Sequence, residues 1–133
     1  MLTGFLKNIK ENSQNTAIIT AEKSLSYAQL NELALGIHKE IDSTQPLIGF
    51  YTSEDEFPYI AILSILYVGK GFVPLNYKFP EQRLNAIIES TEIDQVICRA
   101  EDKEKLTALI EYNNIKIISN IKTRFHFYFS WSK

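Results

Sequence analysis

Glu54-Asp55-Glu56 is the dense acid cluster of the chain, and paired carboxylates are the usual equipment for general acid–base chemistry. The three acids stand just ahead of a predicted helix, where negative charge is favourable against the helix dipole with no catalytic duty. That structural role is sufficient to account for them. Gly69-Lys70-Gly71 raises the question of phosphate binding, since small residues let backbone N–H groups approach an anion at the start of a helix. The five glycines are scattered, however, and Gly71 leads into Phe72-Val73-Pro74 in place of a further glycine and a helix. The tripeptide reads as a helix cap and a close-packed turn. No Gly-x-Ser-x-Gly elbow surrounds any serine, so nucleophilic hydrolysis has no support. His38 and His126 lack ligand-like spacing, and Cys98 is the single cysteine, which excludes an internal disulfide framework and a thiolate metal cluster. His38 is expected to pack half-buried on a helix, and Cys98 to sit in the core at the end of a strand. No catalytic, cofactor-binding or metal-ligating residue is assigned.

The elements that would position any site follow from composition and periodicity. The chain has 133 residues, 45% of them hydrophobic, with eight Phe and seven Tyr, enough for the core of one domain. Fourteen Lys plus Arg against sixteen Asp plus Glu give a net charge of -2 without like-charge blocks, so no grip on nucleic acid or anionic lipid is expected. The N-terminus lacks an apolar secretory core, and the apolar run 59–68 is far below the roughly 20 residues a membrane helix needs. A cytoplasmic location is expected.

Short apolar runs alternate with segments of helical period, the pattern of an α/β domain with an open, mostly parallel sheet flanked by helices. Residues 4–12 read as a weak helix and 17–20 as a short strand. Ser26 and Gln29 have capping-box spacing, flanked by Leu25 and Leu30 as a hydrophobic staple. Tyr27, Leu30, Ala34, Ile37 and Ile41 then mark one apolar stripe. Residues 47–51 read as a strand, 56–68 as a deeply buried helix with Pro58 in its first turn, and Gly69 as its left-handed cap. Phe72-Val73 reads as a strand closed by Pro74. Pro80 suits the first position of a helix that turns Leu84, Ile87 and Ile88 inward. Strand 95–98, helix 102–112 and strand 115–118 complete the pattern. Residues 123–133 carry five aromatic side chains and no turn residue, and read as a strand that a neighbour covers or an edge that self-associates.

Two of these segments resemble signatures of a known family. Leu25-Ser26-Tyr27-Ala28-Gln29-Leu30 is similar to the first signature of the AMP-forming adenylate ligases, Leu-Thr-Tyr-x-Glu-Leu. Leu66-Tyr67-Val68-Gly69-Lys70-Gly71-Phe72-Val73-Pro74-Leu75-Asn76 resembles the second, Leu-Lys-Ala-Gly-x-Ala-Tyr-Val-Pro-Leu-Asp or -Asn. Phe79-Pro80-Glu81-Gln82-Arg83-Leu84 is similar to the Pro-x-Glu-Arg-Leu that follows in that family. The resemblance covers residues 1–120, as the N-terminal α/β subdomain of the large domain, with 121–133 as an aromatic tail leading toward a phosphate loop.

The family resemblance implies two-step chemistry. A carboxylate attacks the α-phosphate of ATP with Mg²⁺ assistance, and a thiol, of CoA or of a carrier protein, then takes the acyl group. The partners implied are the remainder of the ligase chain, a carboxylic acid and that thiol. Residues 127–133 resemble the strand before the family's phosphate loop, but Trp131 and the terminus stand where its glycines would begin. ATP and Mg²⁺ are therefore implied for the full-length family and not for this stretch. By itself the chain is expected neither to form an acyl-adenylate nor to bind ATP tightly. Pro74-Leu75-Asn76 leans toward acyl-CoA ligases and fatty-acid metabolism; amino-acid-activating relatives, such as D-alanine ligases and peptide-synthetase domains, and a non-catalytic interaction module are the alternatives.

Overall fold

The computed structural model describes residues 16–19, 24–112 and 114–119. Strands β1 (Thr16–Ile19) and β2 (Ser24–Ser26) form a small antiparallel pair. Helix α1 (Tyr27–His38) starts from it through the expected capping box. The Ser26 hydroxyl accepts from the Gln29 N–H at 3.2 Å, and the Gln29 side-chain oxygen accepts from the Ser26 N–H at 2.9 Å. The weak helix expected at 4–12 and the aromatic tail at 123–133 lie outside the described residues.

The main sheet follows from three β-α-β steps. Its strands are β3 (Leu47–Tyr51), β4 (Gly71–Leu75), β5 (Gln95–Ile97) and β6 (Lys116–Ile118), ordered β4-β3-β5-β6 and all parallel. Helices α2 (Phe57–Tyr67), α3 (Glu81–Thr91) and α4 (Lys103–Leu109) make the crossovers, with a single 3₁₀ turn (Ala100–Asp102) ahead of α4. Side chains alternate across each strand. Ile48, Phe50, Ile97 and Ile118 pack with Leu33, Ala34 and Ile37 of α1 and Ile60, Leu63 and Ile65 of α2. Tyr51, Val73, Leu75, Val96 and Cys98 pack with Leu84 and Ile88 of α3 and Leu106 of α4. The result is a three-layer α/β sandwich, the expected open parallel sheet flanked by helices. Among the described residues, no helix is long and apolar enough to cross a membrane.

Several boundaries differ from the expectation for identifiable reasons. Pro74 does not close β4 but lies inside it, paired in register with Phe50, because β4 is an edge strand among the described residues. Pro80 caps α3 with extended backbone, and Glu81 is the first helical residue. Helix α4 stops at Leu109, short of the expected 112. The Asn85 side chain of α3 there donates to the Leu109 carbonyl at 2.9 Å and accepts from the Glu111 N–H at 2.9 Å, taking groups that a longer helix would pair internally. Gly69 has φ +75, as its role of left-handed cap to α2 requires.

Candidate functional site at the carboxyl end of the sheet

The first crossover, β3 to β4, runs toward one edge, and the next, β4 to β5, returns past β3. The strand order therefore reverses between β3 and β5, and the loops leaving their carboxyl ends flank the crevice where open α/β sheets bind ligands. These loops are residues 52–56 and the turn beginning at Arg99.

Their side chains are tied together. The Asp55 carboxylate accepts from the Ser53 hydroxyl at 2.5 Å and from the Phe57 N–H at 3.0 Å, so it closes the open amino end of α2. Its other oxygen accepts from Arg99 Nη1 at 3.0 Å. Arg99 also makes a two-pronged contact with Asp102, through Nε at 2.8 Å and Nη2 at 3.2 Å, and lies 3.4 Å from a Glu101 oxygen. A third loop joins them: the Thr52 hydroxyl accepts from the Tyr77 N–H at 3.1 Å, and the Tyr77 hydroxyl donates to Glu54.

These contacts shape the electrostatics. Burial pushes the Asp55 carboxyl upward, but the Ser53 hydroxyl, the Phe57 N–H and the Arg99 charge outweigh it and hold the group below the usual carboxylate range. Burial works against the Arg99 charge, yet Asp102, Asp55 and Glu101 raise its affinity for the proton. The neighbouring Cys98 thiol is pushed up to about 12, chiefly by burial.

The arrangement is a clamp and not a receptor for anions. Arg99 is already engaged by the carboxylates of Asp55, Glu101 and Asp102, and Glu54 adds negative charge beside them. Arg99 is therefore not the residue that would hold the phosphates of ATP or their Mg²⁺, since its charge is already met by these carboxylates. Among the described residues, no group of three or more His, Cys, Asp or Glu side chains is placed to hold a metal ion.

The sequence-level candidates distribute accordingly. The cluster Glu54-Asp55-Glu56 divides into separate structural duties, with Asp55 capping α2, Glu54 receiving Tyr77, and Glu56 buried. Gly69-Lys70-Gly71 lies at the opposite, amino end of β4. Its N–H groups are all committed, to Leu66, Ile65 and Pro46 carbonyls, and Lys70 Nζ donates to the Gln45 carbonyl at 2.7 Å, so it is no phosphate cradle. His38 Nδ1 lies 2.6 Å from the Leu35 carbonyl, to which it donates, and the ring meets Tyr67 edge to face. Cys98 is buried in the core as expected. His126 is outside the described residues. Sequence reasoning missed Arg99, whose local signal was the pair of acids two and three residues after it, at the end of a predicted strand.

Comparison with known proteins places this fold. No protein-family profile matches the chain. The chain is 29% identical over 124 residues to the nonribosomal peptide synthetase gloA of Glarea lozoyensis, covering 86% of this chain and 2% of the synthetase. It is 34% identical over 89 residues to the nonribosomal peptide synthetase agiA of Aspergillus flavus, covering 64% and 1%. With syringomycin synthase SyrB1 of Pseudomonas syringae it shares 27% over 109 residues, covering 79% and 18%. Among solved structures, the peptide synthetase FmoA3 in its form bound to α-methyl-L-serine-AMP superposes with a TM-score of 0.76 at 17% identity, over 86% of this chain and 13% of that one. A fatty acid AMP ligase from Legionella pneumophila superposes with a TM-score of 0.73 at 17% identity, over 92% and 24%. The chain thus spans a small part of the relatives it matches. The two signatures, the open parallel sheet and these relatives agree: the chain corresponds to the N-terminal portion of the AMP-forming adenylate ligase family.

Proposed function

We propose that the chain is the amino-terminal scaffold of an ATP-dependent, AMP-forming ligase that activates a carboxylic acid, and that the ligase is of the amino-acid-activating kind. The observation that carries this reading is that two of the sequence relatives reported above are nonribosomal peptide synthetases, those of Glarea lozoyensis and Aspergillus flavus. The lean of Pro74-Leu75-Asn76 toward acyl-CoA ligases weighs less than these relatives. Pro74 lies within β4, and the Asn76 side chain accepts from the Lys78 N–H at 2.9 Å to shape a turn, structural roles that suit either kind of ligase. In the whole ligase, the acid would displace pyrophosphate from ATP and the acyl group would pass to a carrier-protein thiol, with the remainder of the chain supplying the reacting groups.

On this reading the chain alone organises structure and does no chemistry. The test is pyrophosphate release from ATP by the purified 133-residue chain, with and without a panel of amino acids and fatty acids. The expected result is no acid-dependent release. Release that depends on any acid would overturn the scaffold reading, and dependence on a fatty acid in particular would restore the acyl-CoA alternative.

A further inference from the structure

We draw no further inference here: the strongest candidate, the apolar outer surface of α2, where Tyr59 is 59% exposed and Ile62 and Leu66 are half-buried, carries nothing because nothing in the structure shows what covers it.

Discussion

Asp55 and Arg99, 44 residues apart in sequence, meet at 3.0 Å and join the loop after β3 to the turn after β5. The contact is partly sheltered, with 27% and 22% of the Arg99 and Asp55 side chains exposed. Asp55→Asn keeps the shape but weakens both the ion pair and the cap on α2, and should cost about 1–2 kcal/mol in urea unfolding at pH 7. The pH dependence has a definite sign. The folded-state pKa of Asp55 is lowered, so its contribution is fully present above the unfolded value, about 3.9, and is lost as pH falls through the folded value. The gap between wild type and Asp55→Asn should therefore narrow below pH 4, and a gap constant from pH 7 to 3 would contradict this account.

Asn85 should be the costliest polar residue to truncate. It is buried and its three hydrogen bonds, to Glu81, Leu109 and Glu111, fix the end of α4 against α3. Asn85→Ala leaves two carbonyls and one N–H without that partner, at a cost of about 2–3 kcal/mol. Asn85→Asp keeps only the acceptor, so it should recover part of the loss at most. Denaturant midpoints for the two variants check the order, and an Asn85→Ala chain as stable as wild type would show that α4 is held by Leu106 alone.

What the sequence revealed is what its short-range chemistry encodes. Ser26 and Gln29 announce the start of α1 because each partner lies three residues from the other. Gly69 announces the end of α2 because a left-handed residue is a local demand. Asp55 with Arg99, and Asn85 with Leu109, are contacts that only the assembled layers create, and no periodicity marks them. The expectation that Pro74 ends its strand fails for a related reason. A missing N–H is harmless at an outer edge, and which strand is outermost depends on the order β4-β3-β5-β6, which no local pattern shows.

The glycines of this region separate two kinds of cost. A Cβ on Gly49 would lie 2.6 Å from Ile93 Cδ1 and 3.3 Å from Val96 Cγ2, inside the packed α3/α4 layer, so Gly49→Ala should cost about 2 kcal/mol through overpacking. At Gly69 nothing lies within 4 Å, but φ is +75, so Gly69→Ala should cost about 1 kcal/mol through backbone strain alone. Gly69→Asn should recover most of that, since Asn tolerates the left-handed region, whereas Gly49→Asn should be worse than Gly49→Ala. Thermal unfolding of the four variants tests this reversal.

Cys98 should behave as a core residue with a pH signature. Its thiol is fully buried at the carboxyl end of β5, with a pKa pushed up to about 12, so the reactive thiolate is scarce in the folded state. A disulfide reagent should label it only as fast as the domain opens, and urea should accelerate labelling in step with unfolding. Because the folded pKa is raised, the neutral thiol's contribution to stability is complete below the unfolded value, about 8.5, and declines as pH rises from there toward the folded value. Wild type should therefore lose its advantage over Cys98→Ala between pH 8.5 and 10, by about 1 kcal/mol per pH unit at the upper end of that window. Rapid labelling at pH 7 without denaturant would place the thiol at the surface and contradict the packing of β5 against α3 and α4.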